Sequence, residues 1–304
     1  ANQLMADDKE VVQKAINVTI ATFKSNLRPK KKFPFISFLI AQVKVEKIAT
    51  TLANSEFFRE LLTFSKESKN DSLTSGYLLL YASIVRTARE INVNDLSIES
   101  LKPLFEIYEA TKQQKSQKSP KVARKALLSI GEVAFRIASL PINVQFPKQT
   151  GEVILESLKV EDQPMRHYAI RSISNLLTRN RYDEVFNLEK VESSVIDFNY
   201  GDNPLMLDSY AVCLVMIYTK KEMEKKYYEK IKGVVKQLLT TNSSTARTMG
   251  IMLATCTNLL PPFQKDLELI INGGSIGELR SKALLTMCII FQDNLDDFAN
   301  ISQR

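Results

Sequence analysis

The side chains that carry out most enzymatic catalysis are few and widely separated in this sequence. His167 is the only histidine, and the three cysteines, Cys213, Cys256 and Cys288, lie in separate apolar runs. A metal centre or a cysteine–histidine nucleophile requires such groups to converge, and no spacing here brings them together. The NGGS run at 272–275 lacks the GK[ST] ending of a phosphate-binding loop, and no kinase motif is present. We therefore expect a protein that is not an enzyme and that needs no metal or cofactor.

Cysteine usage and the absence of long apolar runs indicate a protein of the cytoplasm. The odd number of cysteines argues against a disulfide framework and favours small core residues in a reducing compartment. No apolar run approaches the length of a membrane span, and the first residues lack the pattern of a secretory signal. Because the chain starts on a helical pattern without a methionine, we expect it to be part of a longer protein.

Positive charge is the remaining candidate for function. The chain has 41 basic and 34 acidic residues, a formal net charge of +7. If the basic residues share a face, an acidic peptide or a tubulin-like surface is a reasonable ligand, although solvated repeat edges would give the same pattern. No zinc finger, RNA-binding motif or aromatic–basic strip is present, which argues against nucleic acid. The candidate partner-binding residues come from two successive helical segments and the turn after them: Arg124, Lys125, Arg166, His167, Arg171, Asn175, Arg179 and Arg181.

The segments that carry these side chains recur along the chain. The run 121–137, KVARKALLSIGEVAFRI, has small and apolar residues at helical spacing, and related runs follow it downstream. Aligning the runs superposes Ala126, Ala169, Ala211, Gly250 and Ala283. Small residues followed by an apolar helix at intervals of roughly 40 residues are typical of armadillo or HEAT repeats. We predict an all-α fold, an α-solenoid of degenerate HEAT/armadillo repeats, with a compact helical bundle as the alternative.

The repeats are predicted to form one α-helical domain over residues 1–304. The polar segment 112–119, KQQKSQKS, is interpreted as an exposed loop between helices of that domain, and 141–147 as an extended link. The highly charged segment 220–236 is predicted to be an outer helix with ion pairs four residues apart. Helices are predicted at about 7–27, 36–52, 55–64, 73–91, 121–137, 152–159, 165–178 and 220–236.

Two of these helices resemble a known family. RKALLSIGEVAFRIAS, at 124–139, is similar to the "aLGELLFYIs" helix in the C-terminal armadillo-type region of the Fused/Runkel group of protein kinases and pseudokinases. PMRHYAIRSISNLLT, at 164–178, resembles that family's "vqHYAvkTIeNI" helix. Arg136 stands where the family has an aromatic residue, and the similarity covers about a fifth of the chain. The matching positions in the second helix are His167, Tyr168, Ala169, Ile173 and Asn175.

The resemblance implies a noncatalytic scaffold in cilium or flagellum assembly or in microtubule organisation. Its expected partners are ciliary or microtubule-associated proteins, tubulin among them, and its expected location is the cytoskeleton, cilium or basal body. Any kinase-like domain would lie outside this chain. The alternative is a general solenoid adaptor, or a transport or trafficking receptor, that binds acidic peptides in a concave groove.

Overall fold

All regular structure in the described part of the chain is helical. The computed structural model describes residues 9–25, 28–112, 119–140, 144–198, 200–201, 203–259 and 263–272, with the single positions 277 and 283. No strand occurs in these ranges, so the predicted all-α class is confirmed. The chain forms two compact units, Ala1–Val185 (unit 1) and Phe186–Arg304 (unit 2). The assignment of 1–304 to one domain stays a prediction.

Unit 1 consists of helices joined by short connections. A short 3-10 turn at Val93–Leu96 precedes α6, and another at Tyr182–Glu184 follows α9. The described α-helices of unit 1 are α1 (Lys9–Lys24), α2 (Pro29–Gln42), α3 (Glu46–Ala53), α4 (Glu56–Glu67), α5 (Asp71–Thr87), α6 (Ile98–Lys112), α7 (Pro120–Ala138), α8 (Thr150–Glu156) and α9 (Gln163–Leu177).

Unit 2 is also built of helices joined by short connections. Its described α-helices are α10 (Leu188–Val195), α11 (Pro204–Tyr218), α12 (Tyr228–Thr240), α13 (Ser244–Cys256) and α14 (Gln264–Asn272). Helix α13 packs against both α11 and α12. In none of the helices described in either unit is there an apolar stretch of the length needed to cross a membrane.

The long helices of unit 1 pack in succession, which positions the candidate residues. Helix α5 contacts α7, and α7 contacts α9, while α4 packs against both α5 and α6, and α6 packs against α7. Ala126 and Ala169 are completely buried, and the Ser129 hydroxyl donates to the Leu78 carbonyl of α5 at 2.9 Å. Small residues at these positions let neighbouring helices approach closely. The small residues that recur in the sequence therefore lie where successive helices pack against each other.

Side chains that favour caps begin several of these helices. Asp162 accepts a hydrogen bond from the Met165 amide at the start of α9, and Asn70 accepts one from the Leu73 amide at the start of α5. Asn187, Asn203 and Ser243 cap α10, α11 and α13 in the same way. Such caps satisfy amides that have no partner within the helix. Ser55 stands at the predicted start of α4, but its side chain makes no capping bond.

The prediction of one helix over 36–52 is wrong. Helix α2 begins at Pro29, includes Pro34 and ends at Gln42, and α3 begins only at Glu46. Proline is favoured at the first helical position because its missing amide would have no partner there. Between the two helices, Val45 adopts an extended conformation, with φ −88° and ψ 117°.

The helix over 220–236 is also shorter than predicted. Residues 220–224 are not helical, a 3-10 turn spans Lys225–Tyr227, and α12 begins at Tyr228. The Lys221 ammonium lies 2.5 Å from the carboxylate of the buried Glu192. This ion pair joins the segment before α12 to α10. Lys221 thus pairs with a distant residue and not, as the sequence predicted, with a glutamate four residues away.

Candidate protein-binding face

Arg124 serves to join two repeat helices. Its Nε atom donates to Asp162 Oδ1 at 3.0 Å, and its Nη2 atom donates to Asp162 Oδ2 at 2.5 Å. The same Asp162 caps α9 by accepting from the Met165 amide at 2.9 Å. A forked guanidinium–carboxylate pair has strong directional preference. Arg124 therefore joins the start of α9 to α7, and its charge is paired with Asp162 within the chain.

Arg181 is also engaged within unit 1. Its guanidinium donates to the Ile137 carbonyl at 3.2 Å and to the Val144 carbonyl at 2.8 Å, and it forms an ion pair with Glu184 at 2.6 Å. Only 11% of its side chain is exposed. The hydrogen bond to Glu184 raises the pKa of Arg181. A cation at the C-terminal end of α7 also stabilises the carbonyl groups that the helix leaves unpaired.

Lys125 lies against the side chain of Tyr168. Its ammonium lies 3.2 Å from the Tyr168 hydroxyl and 5.4 Å from the centre of that ring. Among the described residues, no carboxylate forms an ion pair with it. The ring of Tyr168 orients the ammonium through a cation–π contact but does not neutralise it.

Glu132 is a buried carboxylate shared by two arginines. Its Oε1 atom lies 3.6 Å from Arg86 Nη1 of α5 and 3.8 Å from Arg171 Nη2 of α9, and its side chain is only 7% exposed. Burial raises the pKa of Glu132, and the two arginines oppose that rise. One carboxylate facing two guanidinium groups leaves a net positive charge across α5, α7 and α9.

Three candidate residues lie on one side of α9, and a fourth follows the end of the helix. His167, Arg171 and Asn175 are spaced four residues apart in α9, Arg179 lies two residues after its end, and all four are partly exposed. The guanidinium of Arg179 lies 4.1 Å from the centre of the Phe135 ring. Burial lowers the pKa of His167, and the charge of Arg171 lowers it further, which favours a neutral imidazole at neutral pH.

Arg166 lies outside this group, one residue before His167. Its side chain is partly exposed, and its Nε atom is buried with no hydrogen-bond partner in the described structure.

These contacts divide the eight predicted residues into two groups. Arg124 and Arg181 bind other parts of unit 1, whereas the rest lie at or beside a surface formed by α7 and α9. Sequence reasoning did not include Arg86 or Phe135, because neither lies in a basic cluster and their roles depend on a neighbouring helix. We call this surface the α7–α9 face and define it by Lys125, Glu132, Phe135, His167, Tyr168, Arg171, Asn175 and Arg179, with Arg86 of α5 at its edge.

The groups considered for catalysis do not come together in the described residues. No cluster of three or more histidine, cysteine, aspartate or glutamate side chains there could hold a metal ion. Cys213 is a buried free thiol, and burial raises the pKa of the Cys256 thiol to about 11, so little reactive thiolate forms at neutral pH. Cys288 and the glycines of NGGS lie outside the described residues, as do 113–118 of the predicted loop and 141–143 of the predicted link.

Comparison with known proteins shows the fold and no closer relationship. No family model matches the sequence, and neither does any curated protein. An engineered protein of known crystal structure is 11% identical, with a TM-score of 0.60, over 99% of this chain and 76% of its own. A designed armadillo repeat protein in complex with the peptide (KR)4 is 12% identical, with a TM-score of 0.56, over 78% of this chain and 97% of its own.

A computationally designed armadillo repeat protein for modular peptide recognition also has a similar structure. It is 12% identical, with a TM-score of 0.54, over 79% of this chain and 98% of its own. These likenesses confirm the predicted α-solenoid of armadillo/HEAT-like repeats.

Proposed function

We propose that this chain is a noncatalytic scaffold that binds an acidic segment of another protein on the α7–α9 face. The observation that carries the proposal is the charge of this face. Arg86 and Arg171 share a single buried carboxylate, and Lys125 has no carboxylate partner among the described residues. Carboxylates on a ligand would complete these pairs.

The face also has groups that suit the rest of an extended peptide. Asn175 has amide donors and acceptors for a peptide backbone, and the rings of Phe135 and Tyr168 offer partly exposed apolar surface. Repeating helices present such groups at regular intervals along one direction, which matches an extended chain. The designed armadillo protein named above is in complex with the basic peptide (KR)4. The charge of the α7–α9 face predicts the opposite preference here.

Removing the charges of Lys125 and Arg171 tests this proposal. We expect Lys125→Gln with Arg171→Gln to weaken the binding of a fluorescent glutamate-rich octapeptide by about fivefold to thirtyfold, since each partly exposed charge contributes roughly 0.5–1 kcal/mol. Fluorescence anisotropy measures the affinity. The matched control is Lys148→Gln with Lys159→Gln, which removes the same charge beside α8, where both lysines are exposed.

The control pair should keep the parent affinity to within about twofold if binding is local. Equal losses in both double variants would mean that only net charge matters, and the α7–α9 face would then not be the binding site. Thermal unfolding of all the proteins shows whether a loss of affinity reflects a loss of structure.

We further propose that the partner belongs to a microtubule-based structure such as a cilium or basal body, and that tubulin itself is a candidate. The support is that the helices resembling the Fused/Runkel group, 124–139 and 164–178, correspond to α7 and α9, which carry the basic face. Co-sedimentation with polymerised microtubules tests this setting. The parent should pellet and the Lys125→Gln, Arg171→Gln variant should remain in the supernatant, whereas equal pelleting would contradict it.

A general adaptor or trafficking receptor for acidic peptides is the second candidate. The fold and the basic face fit it equally well. The coding sequence upstream of residue 1 distinguishes the two settings. A kinase-like domain there supports the Fused/Runkel assignment, and its absence from the complete gene favours the general adaptor.

A further inference from the structure

A small cavity lies between α4, α5, the 3-10 turn at 93–96 and α6, and none of its lining residues belongs to the α7–α9 face. Its volume is about 260 Å³. Binding sites for drug-sized ligands have volumes of about 300 Å³ or more, so this cavity is smaller and could hold one long side chain or a small amine. Apolar walls are provided by Phe58, Leu62 and Pro103, and polar groups by Tyr81, Asp95 and Glu99.

Two polar atoms at this cavity have no hydrogen-bond partner in the described structure. Tyr81 is only 1% exposed, and its hydroxyl is unpaired. The Asp95 side chain is 10% exposed; its Oδ1 atom accepts from Arg59 Nε at 2.9 Å, but its Oδ2 atom is unpaired. Buried polar atoms are nearly always paired in folded proteins. Two of the residues that line this cavity therefore have an oxygen atom that can still accept a hydrogen bond.

The charge of the lining favours a cationic donor. Asp95 and Glu99 contribute two carboxylates, and Arg59 contributes one positive charge whose described ion pair is with Asp95. A cation donates the strongest hydrogen bonds to a carboxylate. The two carboxylates together outnumber the one positive charge, so they would repel an anionic ligand.

The walls of the cavity suit an alkyl stem that ends in the cation. The rings of Phe58 and Tyr81 stack on each other, with their centres 4.8 Å apart and their planes 6° apart, so the two side chains form one rigid apolar wall. Methylene groups pack against such a wall, while an ammonium at their end can reach the carboxylates of the lining.

We propose that this cavity binds an alkylammonium group, the chemistry shared by a lysine side chain of a partner protein and a free primary amine. The ammonium donates to Asp95 Oδ2 and to the Tyr81 hydroxyl, and its stem lies between Phe58, Leu62 and Pro103. The site is formed by different residues from those of the α7–α9 face and binds the opposite charge. It therefore stands whether or not the proposed function is correct.

Nuclear magnetic resonance titration of the full chain with Nα-acetyl-lysine-N-methylamide tests the proposal. We expect saturable shifts at the backbone amides of Arg59, Asp95, Glu99 and Ser100, with a dissociation constant in the millimolar range that is ordinary for one side chain. The norleucine analogue has the same stem without the ammonium and should produce no saturable shifts. This comparison needs no variant and therefore does not depend on any substitution being tolerated.

Variants then connect the binding to the two unpaired atoms. Asp95→Asn should weaken binding about tenfold, because it removes a charge-assisted hydrogen bond, and Tyr81→Phe should weaken it about threefold. Tyr77→Phe makes the same change on α5 outside the cavity lining and should leave the affinity unchanged.

Three results would overturn the proposal: no saturable shift at the cavity amides, equal shifts with the norleucine analogue, or equal weakening by Tyr77→Phe and Tyr81→Phe. The source of the ammonium follows from a second titration with n-butylammonium chloride. Tighter binding of the lysine compound supports a partner protein's side chain, and equal binding supports a free amine. Both results support the ammonium site.

Discussion

At the scale of single residues, Gly131 shows how closely α7 and α9 approach. A Cβ atom built at this position would lie 2.0 Å from Ser172 Oγ and 3.0 Å from Ser172 Cβ. We therefore expect Gly131→Ala to destabilise the protein by about 1–3 kcal/mol, the usual cost of overpacking a tight contact. Urea unfolding followed by far-ultraviolet circular dichroism measures the change.

Gly233 provides the control for this substitution. It lies within α12, and a Cβ there would meet no atom within 4 Å, so Gly233→Ala should stabilise the protein by about 0.5–1 kcal/mol. Adding Ser172→Ala to Gly131→Ala removes the nearest atom and should recover part of the loss. Equal stability of Gly131→Ala and the parent would contradict a close approach of α7 and α9 at Gly131.

The buried Glu132 gives a second prediction at this scale, the pH dependence of stability. Because burial raises its pKa in the folded state, the folded protein binds the Glu132 proton more tightly than the unfolded chain does. This contribution to stability is complete below the pKa of an ordinary glutamate and is lost as pH rises through the raised value. The parent should therefore lose stability as the pH rises from the pKa of an ordinary glutamate through the raised pKa of Glu132. The Glu132→Gln variant should not show this loss.

Urea unfolding at a series of pH values measures this difference. Arg171→Gln should shift the loss to higher pH, because one of the two opposing positive charges is removed. Parallel pH profiles of the parent and Glu132→Gln would contradict a raised pKa at this position.

At the scale of helices, Asp162 has two separable roles: it caps α9 and pairs with Arg124. Asp162→Asn keeps an acceptor for the Met165 amide but loses the charge, whereas Asp162→Ala loses both. We expect Asp162→Ala to cost about 1 kcal/mol more in the free energy of unfolding than Asp162→Asn, the typical contribution of a cap. Urea unfolding of the two variants measures the difference, and equal costs would mean that the cap adds nothing.

Helix positions could be predicted from the sequence where small and apolar residues follow a strict helical spacing. The predicted 121–137 and 165–178 agree with α7 and α9 to within two residues at each end, and the aligned Ala126, Ala169 and Ala211 are all buried. The prediction failed where a contact distant in sequence determines the conformation. Residues 220–224 are charged enough for an exposed helix, but Lys221 pairs with the buried Glu192, which lies 29 residues earlier.

The same reason explains how much of the candidate site could be predicted. Basic residues can be located in a sequence, but their partners on neighbouring helices cannot. Arg124 and Arg181 resemble Lys125 and Arg171 in type and spacing, yet the first two are bound within unit 1 by Asp162, Glu184 and backbone carbonyls. The Arg124 and Arg171 side chains are about equally exposed, at 32% and 31%, so only their contacts with neighbouring helices distinguish them.

At the scale of the whole molecule, the central claim is that an armadillo-like scaffold carries a basic face that selects acidic segments of a partner. The most direct test compares two octapeptides of opposite charge, one rich in glutamate and the other (KR)4, by fluorescence anisotropy at low and physiological salt. We predict that the glutamate-rich peptide binds, that added salt weakens its binding, and that (KR)4 binds at least about tenfold more weakly. Tighter binding of (KR)4 at the α7–α9 face, weakened by Lys125→Gln with Arg171→Gln, would contradict the account.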